Sequence, residues 1–192
     1  CEATNGICAK CFGLDENGDL PRIGLNIGAI ASSSLSEPLT QLTLNTKHTS
    51  GVGAGSSDSD PDMPTGYELI SQTMTIPDKP AAMATLSITD GRVTGIENAA
   101  AGGKWITVQD NQGRNLKFYA ASRRIVKKEV GDEVKAGEPM TTGIVTPREY
   151  LTITGSVDKT RELITDQMVD AYAGVGQNSL RRPLFETMTR SL

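Results

Sequence analysis

Aromatic side chains are scarce, at 4% of 192 residues, so a single large core is not expected. No apolar run reaches the roughly 18 residues of a membrane-spanning helix, and no signal-peptide pattern opens the chain; a soluble, intracellular protein is expected. One histidine and three cysteines limit what metal chemistry the chain can complete by itself. Neither charge sign dominates: the formal charge of −4 gives no basis for gripping nucleic acid through its phosphates. With 37% hydrophobic residues, the composition suits one medium domain or several small modules.

The most informative stretch is Ile27 to Gly51, IGAIASSSLSEPLTQLTLNTKHTSG. Small residues with Leu25, Ile27, Ile30 and Leu35 predict a closely packed helix over Gly24 to Leu35. Pro38 suits the first turn of a helix, so a second helix is predicted to begin near Ser36 and Glu37. From there the helical period sets Gln41, Leu44, Asn45 and His48 on one face, at i, i+3, i+4 and i+7. Two amides, one apolar side chain and an imidazole make an unusually polar stripe for a core. By itself His48 reads either as a partner for the helix C-terminal dipole or as a chemical group.

The run SEPLTQLTLNTKHTSG resembles the trigger-loop entry of the largest catalytic subunit of multisubunit DNA-dependent RNA polymerases, the bacterial beta-prime type. That pattern reads roughly SIGEPGTQLTMRTFHTGG, and Glu37, Pro38, Thr40, Gln41, Leu42, Thr43, Thr46, His48, Thr49 and Gly51 match it. The resemblance implies transfer of a nucleotidyl group from a ribonucleoside triphosphate to the RNA 3′ hydroxyl. It places Gln41 on the ribose of the incoming nucleotide, Leu44 on its base and His48 at the phosphates, as a positional or acid group. Asn45 stands where the bacterial family carries an arginine, and supplies hydrogen bonds without charge. Lys47 replaces a phenylalanine and lies about 100° round the helix from His48. Such departures suggest a divergent lineage, with a bacteriophage polymerase as one origin.

Cys1, Cys8 and Cys11 form C-x6-C-x2-C, and two thiolates two residues apart suit a soft cation such as zinc. Unpaired thiols, or a disulfide with one spare, are the other reading. CEATNGICAKCFG resembles the family's C-x6-C-x2-C-Y-G segment, whose fourth cysteine lies well upstream. The resemblance thus implies a structural zinc site with its fourth ligand outside this chain. It also implies catalytic magnesium held by an upstream NADFDGD-like motif, which nothing here matches. The chain alone is therefore expected to be inactive, and its start at cysteine suggests a piece of a longer one.

Gly51 to Gly66 contains four glycines, two prolines and three aspartates, a composition that predicts a mobile loop. A helix over Tyr67 to Ile76, the second trigger helix of the family, is expected after it. Leu86 and Ile88 alternate with polar neighbours, and Asp90-Gly91 is a turn signal, so Thr85 to Ile96 reads as a hairpin. Trp105 to Val108, a turn at Asp110 to Gly113, and Leu116 to Tyr119 read as another. EVGDEVKAGEPMTTG has the form shared by barrel-sandwich hybrids, including biotinyl and lipoyl carriers. A biotinyl carrier has a lysine usually flanked by methionines, and no Met-Lys-Met occurs. The stretch from Ser122 to Gly155 also resembles the sandwich region of beta-prime subunits, with Arg148, Glu149 and Tyr150 in place of His-Asp-Ile. After Gly155, Ile164, Met168, Ala171, Tyr172 and Val175 form one helical stripe; Leu180, Leu184, Met188 and Leu192 form a second.

The chain is thus expected to be an α+β, multi-module region. A zinc-binding remnant spans 1–21, and a helix with the trigger-loop helical hairpin spans 22–76, its mobile loop at 51–66. A β-rich jaw and barrel-sandwich region occupies 77–155 and helices occupy 156–192. The partners implied are a beta-like subunit, the rest of beta-prime, alpha- or omega-like subunits, DNA template, RNA and nucleoside triphosphates, in the cytoplasm of a bacterial or infected cell. The alternatives are a non-catalytic zinc-ribbon and sandwich interaction protein, or a biotinyl or lipoyl carrier.

Overall fold

Alternation of apolar and polar residues builds the sheet. In β2 (Lys104–Asp110), Ile106 and Val108 point inward and are fully buried, while Trp105, Thr107 and Gln109 face away. β2 pairs antiparallel with β3 (Asn115–Ala120), as the second predicted hairpin requires, and with β1 (Gly91–Asn98). The two-residue β4 (Glu133–Val134) completes the order β3-β2-β1-β4. Val93, Ile106, Val108, Ala120, Val134 and Met140 form the buried face, with Ile96, Phe118 and Val126 packed against it. On the opposite face Trp105 and Tyr119 stand directly across the β2–β3 pair, ring centroids 5.3 Å apart.

The structure, a computed structural model, describes residues 3, 6–15, 17–46, 63–64, 66–77, 80, 82–177 and 180–190, with the side chains of 42–46, 66 and 67 outside the description. Its helices are α1 (Ala9–Phe12), α2 (Ile27–Thr46), α3 (Gly66–Thr75), α4 (Pro147–Thr154), α5 (Val157–Gly174) and α6 (Arg182–Thr189). The class is α+β. Two compact units emerge, one of residues 1–52, 65–74 and 161–192, the other of 53–64 and 75–160.

The structure adds to or departs from the sequence expectations at three places. The Asp90-Gly91 turn does not close a hairpin over Thr85 to Ile96; β1 starts at Gly91, and Leu86 instead bridges to Pro139. Gly91 is small because the β2 backbone crosses it: a Cβ there would meet the Gln109 carbonyl oxygen at 2.2 Å. Asp90 accepts a hydrogen bond from the Ala136 N–H at 2.8 Å and so binds a neighbouring loop rather than a two-residue turn. Second, the β-rich region contains α4, which Pro147 at the first turn permits despite β-branched residues further on. Third, α2 runs unbroken through Pro38, where two helices were expected.

In the first unit, Asn26 caps α2 by accepting from the Ala29 N–H at 3.0 Å. Phe12, Ala31 and Leu184 form a cluster with Ile7, Ile27, Ile30 and Leu180 around them, so α1 and α2 both rest on α6. Ala31 is completely buried, which shows how closely the small residues of α2 let its neighbours approach. Tyr172 of α5 is buried against Phe185 of α6 in an edge-on arrangement, centroids 5.3 Å apart. The Thr165 and Thr189 hydroxyls share a buried hydrogen bond of 3.0 Å, and Arg182 pairs with Asp166. The first turn of α5 belongs to the second unit, where the Ser156 hydroxyl accepts from the Lys159 N–H at 3.3 Å.

Two tests follow. The motif glycine Gly137 has φ +86°, and a Cβ there would lie 2.8 Å from the Tyr150 ring and the Thr154 methyl. Gly137→Ala is expected to destabilise the second unit by about 1–3 kcal/mol, read as a lower urea midpoint of Trp105 fluorescence. Trp105, the one tryptophan, lies in that unit. The Asp110 carboxyl, held by the Arg114 N–H and guanidinium and the Gln112 N–H, sits below the ordinary carboxylate range. A depressed pKa adds stability above the unfolded value of about 4, lost as pH falls through the folded one. Asp110→Asn should therefore make the midpoint's decline from pH 5 to pH 2 shallower than in wild type.

Candidate functional site

Two places carry the sequence-predicted site residues, and both lie in the first unit. The first is the turn leading into α1. Cys8 is its N-cap, and the Cys11 N–H donates to the Cys8 sulfur at 3.4 Å. That backbone donor, with the Cys11 side chain beside it, lowers the Cys8 pKa below the usual thiol value. Cys11 is shifted the opposite way, first by its hydrogen bond to Cys8 and then by burial. The turn thus favours the thiolate of Cys8 over that of Cys11 beside it. Both are exposed.

Two neighbouring cysteine sulfurs, one of them accepting a backbone N–H, are the donor type that supplies half of a tetrahedral zinc site. Cys1, the third predicted ligand, lies outside the described residues. Among the described residues no group of three or more His, Cys, Asp or Glu side chains is placed to hold a metal.

Distant residues that the sequence did not single out brace this turn. Arg181 lies over the Phe12 ring, 5.1 Å from its centroid, and donates to the Phe12 and Leu14 carbonyls at 3.3 and 2.9 Å. Arg190 donates to the Ala3 carbonyl at 3.2 Å and to that of Gly6. Two guanidiniums therefore hold four backbone carbonyls on either side of the cysteines. Separations of well over a hundred residues leave no local signal for this.

The second place is the C-terminal half of α2. Gln41 is exposed one turn beyond Pro38, and Leu44 and Asn45 follow in the last turns of the same helix. Their spacing of three and four residues keeps the three on one side of the helix by backbone geometry. His48 and most of the predicted loop 51–66 fall outside the described residues, as do the side chains of Leu44 and Asn45. The stretch expected as a helix after that loop is α3.

What lies under this helix is a set of hydroxyl groups around Pro38. Pro38 has no N–H, so the Ser34 carbonyl has no i+4 donor. Next to that gap, the Ser33 carbonyl accepts from the Ser36 hydroxyl at 3.3 Å and the Ser36 carbonyl from the Thr40 hydroxyl at 2.9 Å. The Leu35 carbonyl accepts from the buried Tyr172 hydroxyl at 2.9 Å. Burial pushes the Tyr172 phenol up, so it keeps its proton and donates. Tyr172 reads as packing in the helical stripe; the only hint of more is that a buried phenol needs a partner.

The thiol asymmetry is directly measurable. At neutral pH iodoacetamide should alkylate Cys8 faster than Cys11, as followed by peptide mass analysis, because the thiolate is the reacting form. Equal rates would contradict the hydrogen-bond pattern of the turn.

Comparison with known proteins identifies the family. The family described as RNA polymerase Rpb1, domain 5, matches residues 6–191. A DNA-directed RNA polymerase subunit beta′ from Kocuria rhizophila is 32% identical over 92% of this chain, and one from Acholeplasma laidlawii is 33% identical over 92%. The corresponding subunit of Lactobacillus acidophilus is 32% identical over 100%. The chain spans only 13%, 12% and 15% of those relatives' own lengths. With a match that runs from the cysteine turn through both site segments to the end of α6, the chain belongs to the RNA polymerase Rpb1, domain 5 family.

Proposed function

We propose that this chain is part of the catalytic subunit of a DNA-dependent RNA polymerase, and that its segment Glu37 to Gly51 is the entry to a trigger loop, within residues 22–76, that closes on the incoming ribonucleoside triphosphate. The observation that carries the reading is that the first part of the polymerase-like run, EPLTQLTLNT, forms the C-terminal half of α2, with Gln41 exposed and Leu35, just before the run, held by the Tyr172 hydroxyl. Family membership over residues 6–191 supports it further. In nucleotidyl transfer the protein's contribution is alignment and neutralisation of charge. On this reading Gln41 contacts the ribose, Leu44 packs on the base and Asn45 hydrogen-bonds near the triphosphate. His48 stands at the phosphates, where an imidazole with an ordinary pKa near 6.5 serves as a charge or a proton donor for the leaving pyrophosphate.

Cys8 and Cys11, joined by Cys1 and a ligand outside the chain, would hold a structural zinc ion that ties down the N-terminal segment. Among the described residues no cluster of three or more carboxylate, imidazole or thiol groups is placed to hold a catalytic magnesium. The partners on this reading are a beta-like subunit, the remainder of beta-prime, and alpha- or omega-like subunits, with template, transcript and nucleotide, in a bacterial or phage-infected cytoplasm. The departures at Asn45 and Lys47 motivate the phage lineage.

In the assembled polymerase, His48→Ala should slow single-turnover nucleotide addition at least about tenfold, roughly 1.4 kcal/mol of transition-state stabilisation, with subunit assembly intact. An unchanged rate in a correctly assembled enzyme would remove His48 from the reaction and with it the trigger-loop reading.

A further inference from the structure

We propose that Tyr172 is a positioning residue for the trigger loop: its hydroxyl, by holding the Leu35 carbonyl beside the proline turn, sets the direction in which α2 carries Gln41, Leu44 and Asn45. The inference rests on the trigger-loop reading above and adds to it a residue about 130 positions away in sequence.

Helices bend at proline because one rung of the ladder is missing and the ring presses on the preceding turn. Around Pro38 three carbonyls are taken by hydroxyls, those of residues 33, 35 and 36. Two of the donors, Ser36 and Thr40, belong to α2 and move with it. Tyr172 belongs to α5, so among these bonds it alone ties the turn to something outside the helix. Its aim is fixed: the ring is 1% exposed and wedged edge-on against Phe185, and Leu35 is 2% exposed. Such a donor stops the helix from bending freely where proline has made bending easy.

The lever is long enough to matter. From Pro38 to Asn45 the helix rises about 10 Å, so a change of about 10° at the proline moves Asn45 by nearly 2 Å. A misplacement of about 1 Å at a reacting centre can cost about a hundredfold in rate. A bond that restrains only a few degrees would therefore still show in nucleotide addition. If Tyr172 were plain core packing, its hydroxyl would be dispensable and its ring would not.

Tyr172→Phe keeps the ring and removes the donor. In the full chain, amide hydrogen exchange at Leu39, Thr40 and Gln41 should quicken by about three- to tenfold, with α5 amides from Ile164 to Met168 unchanged. In a Pro38→Ala background, where the missing rung is restored, the same substitution should alter exchange by less than about twofold. In the assembled polymerase Tyr172→Phe should lower the maximal addition rate by about threefold or more while leaving the KM for the matching nucleotide unchanged. Exchange that is unchanged, that rises uniformly along α5 and α6, or that responds equally in both backgrounds would overturn the proposal. So would a normal addition rate in Tyr172→Phe while His48→Ala is slow. If His48→Ala is itself normal, the trigger-loop reading is what fails.

Discussion

A proline in the interior of a helix removes one backbone donor and crowds the turn before it, and the first unit is arranged around that fact at Pro38. The cost of an interior proline is about 3 kcal/mol. A single buried hydrogen bond returns about 1 kcal/mol, so the Tyr172 hydroxyl on the Leu35 carbonyl does not suffice alone. Burial of Leu35, worth about 2 kcal/mol, and the close seating of Ala31 supply the rest. The unbroken helix is thus a tertiary product: α6 packs along α2 and Tyr172 of α5 bonds it at Leu35, holding in one piece what local preference would divide.

The same helices serve the cysteine turn. Phe12 lies in the cluster with Ala31 and Leu184, and the two arginines that bracket α6, Arg181 and Arg190, collect the carbonyls around Cys8 and Cys11. One small helical core therefore supports both the thiol pair and the middle of α2. Exposed ion pairs such as Arg92–Glu133 and Lys117–Glu97 add little by comparison, since solvent screens them. The second unit stands on its own apolar face, and its exceptional glycines answer to close backbone or ring approach at Gly91 and Gly137.

Much of the architecture was legible. Strict alternation in Trp105 to Val108 and Leu116 to Tyr119 declared β2 and β3, and the stripe through Ile164, Met168, Ala171 and Tyr172 declared α5. The reading failed where one local signal served two purposes. Asp90-Gly91 has turn chemistry, yet its carboxylate binds the Ala136 amide and its glycine lies under β2. Pro38 has helix-start chemistry, yet it sits mid-helix.

By itself the sequence determined the α+β class, the thiol spacing and the placing of Gln41, Leu44 and Asn45 on one side of a helix, because periodicity and spacing are local properties of a chain. Only tertiary structure decided that α2 continues through Pro38, that Tyr172 donates to Leu35 and that Arg181 and Arg190 hold the cysteine turn. Those are contacts between residues far apart in sequence, and no local pattern encodes which carbonyl a distant hydroxyl or guanidinium will reach once the helices have packed.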